Sequence, residues 1–354
     1  MSAGLLAPDA CKAYYVRMGI MLPVASGKGG VGKSVFSVNL GVALAELGKT
    51  VVLADLDLGA SNLHTLLGIK NRHNGFGGLI HKTDPNVEAL VIESGIPRLF
   101  FIPGDGLLPG TANLDYFVKR KILKELAVLP ADYVIMDLGA GSSYNVVDFF
   151  LSASSGIITT MPEITSILNA YSFLKTALYR ALFRSFPPKG PERKMIAEFV
   201  SRKIEGTDES FTSLIEGLSG SFPGTTTEVI PRLAGFFPRV VINMGKSNAD
   251  LAIGGRLREI AQRNLGLAIE YIGFAPWDDL VPRSVAERRP ILLAYPQAPY
   301  SATVRAIARR IAETPIQAAP RLYQDNEDLA AVAEEGLTNG SEGYAEASFT
   351  AADA

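Results

Sequence analysis

Seven short apolar runs recur along the chain, at residues 20–26, 50–57, 98–104, 132–137, 156–162, 239–245 and 268–276. Most lack alternating polar positions, the pattern of strands buried on both faces. Between them, apolar residues return every three or four positions near 34–47, 116–129, 164–183, 249–264 and 301–312. These stretches read as helices, the first stopped by Gly48 with Lys49 near its C-terminal dipole. Strands alternating with helices predict an α/β fold: a doubly wound, mainly parallel sheet with helices on both faces. In such sheets ligands sit beyond the carboxyl ends of the strands. Asp55 and Asp57 stand at the end of the second run, Asp137 closes the fourth, and a glycine-rich loop follows the first. These residues are expected to converge.

Two regions break the rhythm. Residues 186–237 are too long for an ordinary connection and look helical in the middle, as an insertion on the same core would. From Leu322 onward the chain carries eight acidic residues and no Lys or Arg. That tail lacks a long apolar face and reads as mostly disordered, with room for one short helix near 328–335. The division expected is therefore an N-terminal extension over 1–19, one domain over 20–320 and an acidic tail over 321–354.

Composition narrows the classes. The 354 residues are 47% hydrophobic, enough for a large core, yet no apolar run reaches the length of a membrane span. The first residues show no basic segment ahead of an apolar one, so a secretion signal is not expected. Cys11 is the only cysteine, which excludes an intrachain disulfide and a single-chain cysteine cluster and fits a reducing cytoplasm. His64, His73 and His81 match no metal-ligand spacing.

The chemistry begins at "SGKGGVGKS". Gly27, Gly32, Lys33 and Ser34 satisfy Gly-x-x-x-x-Gly-Lys-Ser after a strand and before a helix. In such a loop the amides of Gly27, Lys28, Gly29, Gly30, Val31 and Gly32 can turn inward on a triphosphate. Lys33 reaches the β/γ-phosphates, and the Ser34 hydroxyl binds Mg²⁺. Asp137 ends "YVIMD", the pattern of a carboxylate that holds the metal. Asp55 and Asp57, two residues apart on an extended segment, share a side. One reading puts Asp57 on the attacking water and Asp55 near the metal; the other makes them turn or cap residues. Lys28 is surplus to this scheme, being either a solvated lysine or a group aimed at a second molecule.

Taken together, "KGGVGKS", "DLDLGASNLHTLLG" and "DLGAG" resemble the MinD/ParA family of deviant Walker-A ATPases, over about residues 22–311. "MPEITSILNAYSFLK" and "DLGAG" are most similar to the FlhG branch, MinD-like regulators of flagellar number and placement. The resemblance implies a P-loop NTPase of the SIMIBI type, a slow, partner-regulated ATPase that takes ATP and Mg²⁺. It implies a homodimer in the ATP-bound state, in which Lys28 touches the partner's phosphates. Asp57 would be the hydrolytic aspartate, and Asp137 would open a second switch over 137–142. Asn243, Pro276 and Asp278 would fall around the adenine. A flagellar GTPase or basal-body component is the implied partner. Two departures stand out: the acidic tail replaces the family's basic amphipathic membrane helix, and no activator segment is legible at the N-terminus.

A basic segment over 175–203 includes Lys175, Arg180, Arg184, Lys189, Arg193, Lys194, Arg202 and Lys203 against Glu192 and Glu198. It is either the solvated face of a core-packed helix, with Ile167, Tyr171, Leu174, Leu178 and Leu182 as the packed stripe, or a surface for DNA, anionic lipid or an acidic partner. A ParA-type ATPase holding nonspecific DNA is thus an alternative function, and a scaffold that binds ATP without turnover is another. An iron–sulfur carrier is rejected because Cys11 stands alone. A tyrosine kinase is rejected for want of a tyrosine-rich tail.

Overall fold

A computed structural model of the chain describes residues 19–70, 75–80, 84–104, 114–204, 210–314 and 326–350. Cys11, His73, His81, Tyr323 and most of the N-terminal extension lie outside them, as does the side chain of Lys203. The centre is an eight-stranded sheet. Its strands are β1 (Ile20–Ser26), β2 (Val51–Leu56), β3 (Ile92–Ile96), β4 (Leu99–Ile102), β5 (Tyr133–Ala140), β6 (Ile157–Thr160), β7 (Arg239–Gly245) and β8 (Glu270–Pro276). Their order is β3-β4-β2-β5-β1-β6-β7-β8. All pairings are parallel except β3 with β4. The order reverses at β1, so a crevice opens at its carboxyl end, where the glycine loop begins.

The strands sort their side chains onto two faces. Val51 and Leu53 with Tyr133 and Ile135 face the helices Lys33–Glu46 and Pro299–Glu313, whose Phe36, Leu40, Tyr300 and Ile307 fill that layer. Val52, Ala54, Val134 and Met136 face Phe150, Phe173 and Leu257 from the helices Tyr144–Phe150, Ile164–Ser185 and Ala249–Leu265. Burial on both sides is why the runs read as continuously apolar. Gly48, at φ +78°, ends the first helix as expected.

The antiparallel edge strand β3 was not expected, because Glu93, Ser94 and Gly95 leave it no apolar pattern. Strand β5 runs three residues past Asp137, because Gly139 and Ala140 are small enough to continue beside Ser26. The 186–237 region forms the helices Pro191–Ile204, Phe211–Ser221 and Pro223–Ala234. Ile196, Phe199, Phe211, Leu214 and Val229 bury these against the same core. Four of the five stripe residues on Ile164–Ser185 are buried, Tyr171 being partly so.

The acidic tail requires correction. Residues Glu327–Thr350 form a helix rather than a disordered segment. Leu329, Val332, Ala333 and Leu337 make a short apolar stripe that packs over β8. Gly336 presses so close that a Cβ there would meet the Phe274 carbonyl oxygen. Two of its acids, Asp328 and Glu335, have partners in the fold. Asp328 is buried and takes both Arg258 Nη1, at 2.7 Å, and Nη2, at 2.5 Å, plus the Tyr271 amide at 2.8 Å. Glu335 receives Arg310 at 2.7 Å.

Asp328→Ala strands a buried guanidinium and is expected to cost about 3 kcal/mol, read as a drop in the urea midpoint. Arg258→Met with Asp328→Leu should recover most of that loss; a single variant no less stable than wild type would show that the helix adds nothing.

Candidate functional site

The 27–34 loop links β1 to the helix that starts at Lys33. Two of its glycines are required by contact. A Cβ on Gly27 would lie 2.2 Å from the Asn169 backbone, and one on Gly32 would lie 2.3 Å from the Asn243 amide nitrogen. Gly32 also adopts φ +80°, and Gly30 adopts φ +81° in open space. The loop thus presents mostly bare backbone at its glycines.

Beneath it lies Asp137, almost fully buried. Pairing of β2 with β5 puts it opposite Asp55, and pairing of β1 with β5 puts it beside Val24. Lys33 Nζ stands 2.9 Å from Asp137 Oδ1. Ser34 Oγ donates to Oδ2 at 2.7 Å, and Ser37 Oγ donates to Oδ1 at 2.7 Å. Lysine, hydroxyl and carboxylate, named from spacing alone, form one cluster. Ser37 was missed, although it follows Ser34 by three residues on a helix and so shares its face. The donor set fits a hard cation: Ser34 and Asp137 offer adjacent oxygens, the ligand type Mg²⁺ takes. Among the described residues no three His, Cys, Asp or Glu side chains form a metal-binding group.

Asp55 is buried and fastens its own loop. Its Oδ1 accepts from the Asp57 amide at 3.2 Å, and its Oδ2 accepts from Ser61 Oγ at 2.7 Å and the Leu63 amide at 3.2 Å. Burial, and next the Asp137 charge, push its carboxyl up to about 7. Asp57 lies further out, beside Gly139, on a cavity of about 180 Å³ that Ala140, Ser143 and Asn145 also line.

Lys28, the surplus lysine, does not hang free: its Nζ is 2.9 Å from Glu163 Oε2, a half-exposed pair. Glu163 precedes the Ile164–Ser185 helix, and no spacing in the sequence links it to the loop. Asn243, Pro276 and Asp278 line, with Gly32, Met244 and Trp277, a cavity of about 80 Å³. The Asn243 amide donates to the Val31 carbonyl at 2.8 Å, leaving its own buried oxygen without a partner among the described residues. Asp278 accepts from the amides of Leu280, at 2.9 Å, and Tyr300, at 3.3 Å, so its carboxylate shapes this wall. Met244, next to Asn243, holds φ +60°, a strained backbone that nothing in the sequence announces.

The basic segment is partly spent within the fold. Arg180 Nε and Arg184 Nη1 each lie 2.9 Å from Asp148, and Lys119 Nζ lies 2.6 Å from it. Arg193 donates to the Phe186 carbonyl and covers the Phe183 ring. Among the described residues no helix is long and apolar enough to cross a membrane.

Comparison with known proteins bears on this geometry. The family model for the CobQ/CobB/MinD/ParA nucleotide binding domain matches residues 22–291. The antiactivator FleN of Pseudomonas aeruginosa is 25% identical over 319 residues, covering 86% of this chain and 92% of FleN. The flagellum site-determining protein YlxH of Helicobacter pylori is 33% identical over 161 residues, 44% of this chain and 52% of YlxH. Among solved structures, the septum site-determining protein MinD of Pyrococcus horikoshii, complexed with Mg-ADP, superposes with a TM-score of 0.58. Its sequence identity is 19%, and the match covers 84% of this chain and 97% of that one.

In the folded protein Asp55 keeps its proton up to about pH 7, whereas the unfolded chain loses it near 3.8. The folded state therefore binds more protons between these values, and the Asp55 contribution to stability falls as pH rises through them. Asp55→Asn, without nucleotide, is expected to lose less of its urea midpoint between about pH 5 and 7.5 than wild type; an identical loss would clear Asp55 of the effect.

Proposed function

Since the chain belongs to the CobQ/CobB/MinD/ParA nucleotide-binding family, we propose that it is an ATP-hydrolysing switch that dimerises on ATP and regulates flagellar number or placement. The observation that carries this reading is Lys28, a second lysine on the phosphate loop that is paired with a half-exposed carboxylate, Glu163. Such a pair in water contributes little, about 0–1 kcal/mol. A partner's phosphates, in a site closed to water, would hold the same ammonium by shorter, charge-assisted bonds. Lys28 can therefore leave Glu163 at small cost when a second nucleotide-loaded copy is present.

Within one chain the residues divide the work. The 27–34 amides and Lys33 bind and orient the phosphates, and Lys33 exchanges Asp137 for them. Ser34 and Asp137 would hold Mg²⁺, which supplies charge neutralisation on the phosphate oxygens. Asp57, beyond the loop and next to Gly139, is the carboxylate available to orient the attacking water. The Asn243–Asp278 wall takes the adenine. Release of the γ-phosphate would relax 137–142 and free the copies.

The flagellar assignment rests on FleN, matched over most of both chains, and on YlxH, matched over about half of each. The DNA-binding alternative loses support because Lys175 and Arg180 flank an apolar groove rather than a continuous basic stripe. A non-hydrolysing scaffold is the remaining alternative, and it would need Asp57 to be idle.

Light-scattering mass with ADP and then ATP, together with phosphate release, tests the reading. Wild type is expected to be monomeric with ADP and dimeric with ATP. Asp57→Ala should dimerise but hydrolyse at least tenfold more slowly, and Lys28→Ala should stay monomeric. A monomer throughout would overturn the switch; unchanged hydrolysis in Asp57→Ala would leave a scaffold.

A further inference from the structure

Away from the nucleotide loop, a groove of about 470 Å³ opens between the helices Ile164–Ser185 and Pro191–Ile204. One wall is Tyr179 and Phe183, and the other is Ile196, Ala197 and Val200. A cavity of about 150 Å³ takes one benzene, so this groove has room for roughly three large apolar side chains. Ala197 and Val200 are exposed, and so is Leu168, seven residues before Lys175 and hence on the same helical face. The apolar strip therefore runs on along the helix beyond the groove, longer than a compact small molecule would need. The buried Tyr179 hydroxyl has no hydrogen-bond partner among the described residues.

Among the described residues, the charged side chains that line the groove are basic. Lys175 and Arg180 line it. Arg180 belongs to the cluster in which Lys119, Arg180 and Arg184 all converge on the single carboxylate Asp148. Three cations on one anion leave two positive charges uncompensated by it. Arg180 also lies 4.7 Å over the ring of Tyr144, which lines the groove too. Tyrosine and arginine around an apolar trough form the composition that concentrates binding energy in protein interfaces.

We propose that this groove docks an acidic amphipathic helix of a protein partner, with its apolar face in the trough and its carboxylates toward Lys175 and the Arg180 cluster. Tyr144 and Asp148 lie on the helix that directly follows residues 137–142. On the nucleotide-switch reading above, the partner then senses which nucleotide is bound.

The test uses the full-length protein and a fluorescein-labelled 18-residue synthetic helix with leucines at helical spacing flanked by glutamates. A twin carries lysine for every glutamate, and vesicles of phosphatidylglycerol and a 20-base-pair DNA duplex serve as rival ligands. Without nucleotide, anisotropy is expected to show the acidic helix bound in the micromolar range and the twin at least tenfold weaker. Val200→Glu and Lys175→Glu should each weaken binding at least tenfold, while Val128→Glu, an exposed change elsewhere, should leave it unaltered. The proposal is overturned if no peptide binds, if both bind alike, if Val200→Glu binds as wild type, or if only vesicles or DNA bind. Repeating the titration with ADP and with ATP separates the two claims. Equal affinity in both removes the sensing step and leaves docking intact, whereas docking without any nucleotide binding would sink the switch alone.

Discussion

A carboxylate buried at the point where the sheet reverses direction governs this molecule. Asp137 lies buried among apolar strands, where a polar group left without partners would be costly. Lys33, Ser34 and Ser37 supply those partners from the first two turns of a helix, after a loop in which four of the six residues 27–32 are glycine. The helix direction, the bare loop and the pairing of β1 with β5 therefore depend on one another. The arrangement that satisfies Asp137 without a ligand also sets a lysine, a hydroxyl and a carboxylate side by side where a phosphate and its cation would sit.

The same economy recurs on the opposite face. Asp148 gathers Lys119, Arg180 and Arg184 from two other helices, so a single anion staples three elements. Cations that look like a surface for nucleic acid when read in order along the chain are, in space, committed in part to one carboxylate. What remains is a positive rim beside an apolar trough, a different kind of surface from a phosphate-tracking stripe.

Sequence patterning foresaw most of the sheet, and its failures have physical causes. Continuous apolar runs such as 133–136 announce a buried parallel strand, and the Gly-x-x-x-x-Gly-Lys-Ser spacing announces the loop, because both reflect local backbone demands. Strand β3 was illegible since a solvent-facing edge needs no apolar pattern. Glu163, Asp148 and the Met244 backbone were illegible because their roles arise from residues distant in sequence. The tail misled for a related reason: Asp328 and Glu335 look like solvating charge until Arg258 and Arg310, far earlier in the chain, are set beside them.

That pairing has a consequence for the order of events during synthesis. Arg258 sits in the penultimate layer of the nucleotide fold, and its counter-charge arrives 70 residues later. Domains tend to fold from the N-terminus as the chain emerges. Here the sheet's last strand and the arginine beneath it remain an open, charged seam until residue 328 and the strip behind it have been made. The segment that reads as an appendage is thus the closing piece, and a ribosome that pauses before it would hold a nucleotide-binding body with one side unsealed.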